Sequence, residues 1–240
     1  LREQGLDWVE DPSNDDEAYD RVKARKALVA LQDLGILSEA LADVAQNMSI
    51  ARDALDHATL RAAREVAALS GGDVALDPEG FAMLPDEIAR RLLVRALGFV
   101  SGAQYPPRRA ALAEALDRMR AGQPATLLGC LVLHHRGAIR ICRELNAVRD
   151  VVCGDGETWD NRWRLTGDGG PAEIRALGED GLKACPGWRE TGHPRASLLA
   201  SPSAWRGGAL IAAPLAGMPG RWTARLASRD DAFHAAILSH

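Results

Sequence analysis

Four sets of residues in this 240-residue chain are of types that could do chemistry. Ser70-Gly71-Gly72-Asp73 has the glycines and hydroxyl of a loop that wraps phosphate with backbone N–H groups. Such a loop follows a buried strand and opens a helix, whereas this one closes an alanine-rich stretch, so the pattern predicts a helix terminator. Cys130, Cys142, Cys153 and Cys185 are separated by 11, 10 and 31 residues, with His134 and His135 near the first. Structural zinc wants four ligands in closely spaced pairs and a disulfide framework wants denser cysteine. No metal site is expected, and a reducing compartment fits. His57, His193, His234 and His240 accompany no Ser/His/Asp or Cys/His arrangement. The neighbouring carboxylates Asp15 and Asp16 suit a helix start better than an acid/base couple. These residues alone make no complete catalytic constellation.

The fourth set is arginine, which accounts for 26 of the 29 basic residues. The net charge of −4 is unevenly spread. Residues 1–85 carry 8 basic and 17 acidic groups (−9), residues 86–150 carry 11 and 6 (+5), and residues 151–240 carry 10 and 10 (0). Guanidinium suits bidentate contact with phosphate, although a GC-rich genome enriches arginine in the same way.

The most specific pattern is Trp8, Asp11-Pro12-Ser13-Asn14, Tyr19, Arg21, Lys23 and Arg25. It resembles the signature of tRNA(Ile)-lysidine synthases at the end of their PP-loop catalytic domain: Trp-x-x-Asp-Pro-(Ser/Thr)-Asn, an aromatic residue, then a spaced basic run. Val22 stands where that run often has Asn. Further on, Leu127-Leu128-Gly129-Cys130 and Ile141-Cys142-Arg143-Glu144 look like the family's Leu-x-Gly-(Gly/Cys) strand and its returning Arg-Glu strand. Trp159-Asp160-Asn161-Arg162-Trp163 and the stretch from Trp205 to Pro214 are similar to its carboxy-terminal domain.

The resemblance implies an ATP-dependent ligase that adenylates C2 of cytidine 34 in the CAU anticodon of tRNA(Ile), whereupon lysine displaces AMP to give lysidine. The family's Ser-Gly-Gly-x-Asp-Ser loop and the His-rich segment after it are absent and would precede Leu1. The chain is therefore expected to be a piece of a longer protein, inactive alone, with ATP and Mg bound by the missing amino-terminal domain and no catalytic residue here. The expected partners are tRNA(Ile), lysine and ATP, with room for a homodimer, and the expected location is cytoplasmic. Arg21 and Arg25 are expected to contact nucleotide or substrate phosphate, and Arg90, Arg91, Arg95, Arg108 and Arg109 to grip tRNA phosphates. The alternatives are a helical protein-interaction or regulatory module, and part of another PP-loop tRNA-modifying enzyme such as a thiolase.

Several elements must position these residues. Asn14 as cap and Glu17 three residues on predict a helix from about Asp15 to Leu34, stopped by Gly35. Residues four apart share a helix face, so Arg21 and Arg25 point the same way. Ser38 opens a second helix with a seam through Leu41, Val44, Met48, Ala51, Leu55, Ala58, Ala62, Val66 and Leu69. Val74–Leu76 and Phe81–Met83 read as a small hairpin. Pro85 starts a helix to about Leu97, and another spans Arg108 to Arg120. Thr126–His135 and Ala138–Glu144 form a hairpin about Arg136-Gly137, and 159–165, 209–213 and 221–226 are further strands, with a short helix in 177–185. The fold class is α+β, a helical domain followed by a smaller β-containing one. The expected domains are 1–35, the end of a catalytic domain and linker helix; 36–123, helical and tRNA-binding; and 124–240, with the last border between 120 and 155. No apolar run reaches the roughly 18 residues of a membrane span, and no secretion leader is expected.

Overall fold

The computed structural model describes residues 16, 18–168, 170–227 and 232–238. The motif positions Trp8, Asp11, Pro12, Ser13 and Asn14, with the expected Asn14 cap, lie outside the described residues. The fold is α+β, helices leading and antiparallel sheets following. The chain divides into two units, Leu1–Ala54 and Leu55–His240.

In the first unit, α1 runs Asp20–Asp33 and closes where Leu34 N–H reaches the Leu31 carbonyl. Gly35 then takes φ +79°, the left-handed conformation that ends helices at little steric cost. Helix α2 (Ser38–Val66) begins here and ends in the second unit. Its seam is exposed at Leu41, Val44 and Met48 and buried at Ala62 and Val66.

The second unit opens with a departure from expectation. The second helix ends at Val66 instead of Ser70, and β1 (Ala67–Ser70) pairs with β2 (Asp73–Leu76) about Gly71-Gly72. Phe81 lies in the short helix α3 (Pro78–Ala82), where Asp77 Oδ2 accepts from Gly80 N–H at 2.7 Å. The physical reason is the two left-handed glycines, φ +59° and +82°, which suit a two-residue hairpin turn. The glycines therefore turn a hairpin and do not cap a helix.

Helices α4 (Asp86–Ser101) and α5 (Arg109–Arg120) follow. On α4, Ile88, Ala89, Leu92, Leu93, Ala96, Leu97 and Val100 recur three and four apart, and all are buried. Strands β3 (Ala125–Leu127), β4 (Cys130–His135) and β5 (Ala138–Arg143) complete a five-stranded sheet in the order β1-β2-β5-β4-β3. The expected single strand over 126–135 breaks at Leu128-Gly129, both left-handed at φ +53° and +64°. Val74, Leu76, Val132 and Ile141 pack with the apolar faces of α4 and α5 in one core.

After α6 (Leu145–Val148) come β6 (Val152–Gly154), β7 (Thr158–Trp159), β8 (Trp163–Gly167) and β9 (Glu173–Ala176). Then follow α7 (Gly178–Lys183), a 3-10 turn at Trp188–Thr191, α8 (Arg195–Leu199), β10 (Pro202–Arg206), β11 (Ala209–Ala212) and β12 (Trp222–Leu226). Two more antiparallel sheets result, β11-β10-β9-β6 and β12-β8-β7, which share a core of Trp159, Trp163, Leu165, Ile174, Ala204 and Trp222. In α9 (Ala232–Leu238), Phe233 meets Phe99 of α4 edge to face at 5.5 Å. Among the described residues no helix is long and apolar enough to cross a membrane.

Candidate nucleic-acid interface

The arginines expected to grip phosphate part into two groups. Arg90 makes a two-pronged bond to Glu87, at 2.7 Å from Nε and 2.6 Å from Nη2. Arg91 donates from Nε to Glu87 at 2.8 Å and from Nη1 to Asp56 at 2.7 Å. The Asp56 side chain is only 4% exposed, so Arg91 is a strut that ties α4 to α2. The hydrogen bond from Arg90, with Arg91 adding to it and in spite of partial burial, holds the Glu87 carboxyl down at about 2. Two of the five guanidinia are thus already occupied by carboxylates.

Arg95, Arg108 and Arg109 have no ion pair among the described residues, and the last two are exposed. Arg108 and Arg109 are the cap and first residue of α5, whose first turn holds no acid. The positive end of the helix dipole disfavours cations there by about 0.3–1 kcal/mol. An arriving phosphate would reverse that sign, meeting free N–H groups and two guanidinia together. In the first unit, Arg21 lies over the Tyr19 ring at 4.8 Å, Lys23 pairs with Asp20 at 3.3 Å, and Arg25 is exposed one turn along.

Sequence reasoning missed a buried polar seam in the second unit. Arg140 of β5 donates to Asp73 Oδ2 at 3.0 Å and to the Ser70 carbonyl at 3.1 Å. Ser197 Oγ of α8 donates to the same carboxylate oxygen at 2.6 Å. His193 Nδ1 is 3.4 Å from Arg140 Nη2, and its ring occupies the space where a Cβ on Gly71 would fall. Arg162 donates to the Gly72 carbonyl. The Ser-Gly-Gly-Asp stretch is therefore a hairpin tip docked between His193 and Trp163. A second clasp is the fork from Arg143 Nε and Nη2 to Asp160, 2.9 and 3.0 Å, while Arg143 Nη1 reaches the Gly129 carbonyl at 3.0 Å. This explains the Leu-x-Gly-Cys and Arg-Glu pattern: a side chain at 129 would meet Arg143 Nη1 at 2.6 Å. The recurring Leu127–Cys130 and Ile141–Glu144 spacing was the available signal; nothing local marked Arg140 or Ser197.

Burial pushes the Asp73 carboxyl up to about 6, against the opposing pull of Ser197 and Arg140. The unfolded carboxyl titrates near 3.8. Between these values the native chain holds more protons, so the contribution to stability is full below about pH 4 and is lost as pH rises through about 6. Asp73→Asn should therefore change the gap in unfolding free energy from the parent across that window, and leave it constant from about pH 7 upward. Urea denaturation at stepped pH measures it; a gap that is flat from pH 4 to 7 contradicts the buried carboxyl.

Cys130 and Cys142 are buried, and desolvation pushes both thiols up to about 12. That is the opposite of the depressed thiol that sulfur chemistry uses. Among the described residues no three His, Cys, Asp or Glu converge to hold a metal.

Three relatives are similar to this chain. All carry the name tRNA(Ile)-lysidine synthase. That of Ruegeria pomeroyi is 52% identical over 244 residues, covering the whole of this chain and 58% of the relative. That of Wolbachia pipientis is 30% identical over 67% of this chain and 39% of the relative, and that of a Bradyrhizobium species 34% over 59% and 46%. The chain thus spans less than two thirds of the relatives it matches. No model of a protein family matches it. With 52% of positions identical along its full length, and aligned with the carboxy-terminal part of the Ruegeria pomeroyi relative, the chain belongs to the tRNA(Ile)-lysidine synthase family.

Proposed function

We propose that this chain is the tRNA-holding portion of a cytoplasmic ATP-dependent ligase that joins lysine to cytidine 34 of tRNA(Ile). The observation that carries the reading is the match, over the whole of this chain and 58% of the relative, to a protein named tRNA(Ile)-lysidine synthase. The cytosine carbonyl oxygen is a poor leaving group until adenylation makes it one. ATP, Mg and lysine are assigned to the amino-terminal part that such relatives carry beyond the aligned region.

An enzyme that selects one tRNA needs contacts away from the reacting base, and phosphate contacts fix register. Arg95, Arg108 and Arg109 take that role as unpaired cations. Arg90 joins them only by sharing itself with Glu87, and Arg91 is chiefly structural. Arg21 and Arg25, one face of α1, contact nucleotide or substrate phosphate.

Arg108→Gln with Arg109→Gln tests the assignment. The tRNA affinity should fall about tenfold near physiological salt, and the slope of log affinity against log salt should shrink by about 2. Thermal stability should hold or rise, because two cations leave a positive helix end. Unchanged affinity and slope in a gel-shift titration would refute it.

A second reading is favoured by one observation, the exposed Leu41, Val44 and Met48 on the α2 seam. These would serve a protein contact. Raised salt separates the two, since apolar docking survives it while phosphate contacts weaken.

A further inference from the structure

The sheet β12-β8-β7 has two unlike faces. Trp159, Trp163, Leu165 and Trp222 point into the core, while Thr158, Arg164, Thr166, Thr223 and Arg225 alternate with them and are exposed. Register places Arg225 directly opposite Arg164, Thr223 opposite Thr166, and Thr158 opposite Arg164 on its other side. Antiparallel pairing holds directly opposed Cα atoms about 4.5–5.5 Å apart, and like charges so placed destabilise a sheet. The usual remedy is an acid on a neighbouring strand. Here the neighbours are threonines, and neither guanidinium has an ion pair or hydrogen bond among the described residues. A one-residue slip of β12 would relieve the repulsion only by turning Trp222 to water, and a slip of β8 only by turning out Trp163 and Leu165, so the core locks the pair in place.

The hydroxyls of Thr166 and Thr223 lie 3.2 Å apart beside this pair. We propose that the outer face of β7, β8 and β12 grips the phosphodiester backbone of RNA, with Arg164 and Arg225 bracketing phosphate and the two threonines donating beside them. The inference rests on the tRNA reading above and extends it to a second surface. Guanidinium forks and hydroxyls match phosphate oxygens. None of the five outward side chains is aromatic, so the face lacks the flat rings on which single-stranded RNA readers stack successive bases, and its two guanidinia and three hydroxyls favour phosphate over base edges. It is also open, lacking the walls that enclose a small phosphorylated metabolite, which favours a polymer.

The test is Arg164→Thr with Arg225→Thr in the full chain, since threonine suits an exposed strand. Titration with tRNA should show affinity lowered about tenfold and the salt slope reduced by about 2. The melting temperature should hold or rise, because the opposed charges are gone. Inorganic phosphate at millimolar concentration should not bind the parent chain at this pair. If the double variant keeps parental affinity and slope while the Arg108/Arg109 variant loses them, this inference fails and the tRNA reading stands. If phosphate alone saturates the pair and tRNA binding is unaltered, the polymer assignment fails. A parent chain that binds no tRNA overturns both.

Discussion

Asp160→Asn is expected to cost about 3 kcal/mol of folding free energy, at the low end of what breaking one side of a buried ion pair costs. For a domain of this size that is a fall in melting temperature of about 6–12 °C. The Asp160 and Arg143 side chains are 7% and 14% exposed, so removing the carboxylate charge leaves a guanidinium with little water to solvate it. Asparagine isolates the electrostatic effect. Asp160 sits at φ +48°, a conformation asparagine tolerates better than alanine does, and it keeps one acceptor. Adding Arg143→Met should recover part of the loss, because the stranded charge then disappears. Calorimetry of the single and double variants measures both; a single variant within 1 kcal/mol of the parent would mean that the fork does not clasp the sheets.

Gly72→Ala should be about as damaging, by 2–5 kcal/mol. Two effects add: left-handed strain of about 1–2 kcal/mol for any residue with a Cβ, and overpacking of about 1–3 kcal/mol. Gly72 has φ +82°, and its Cβ would fall 2.2 Å from Trp163 Cζ2, within a ring that is only 6% exposed. The same glycine offers its carbonyl to Arg162, so a retreating backbone would also strand a buried donor. Gly207→Ala is the control. It too is left-handed, at φ +54°, but nothing lies within 4 Å of its Cβ position, so it should carry the strain alone. Equal losses in the two variants, read by denaturant unfolding, would show that the hairpin tip is not docked on Trp163.

Much of the fold was legible because burial is periodic. The three-and-four spacing from Ile88 to Val100 and the proline before it marked α4. Arg136-Gly137 marked the β4–β5 turn, with φ of +49° and +78°. The first hairpin was not legible. Ala67 and Ala68 carry no strand preference, and they continue a helical run without a break in pattern. Glycines that follow such a run look like a helix end. Only pairing of β2 with β5, 60 or more residues away, tells the turn from the cap.

The candidate interface divides the same way. Charge counting located the basic middle region, and motif spacing placed Arg21 and Arg25 on one face of a helix, since both depend on near neighbours in the chain. Apart from the local pairing of Arg90 and Arg91 with Glu87 on the same helix, which guanidinia are free was decided by tertiary structure. Arg91 and Asp56 are 35 residues apart, Asp73 and Ser197 are 124, and Arg164 meets Arg225 only through strand register. Sequence by itself determined composition, helix faces, turn positions and family likeness. Tertiary structure determined which charges are neutralised and which face water, because Coulomb pairing and desolvation depend on distance in space, and chain folding sets that distance without regard to separation along the sequence.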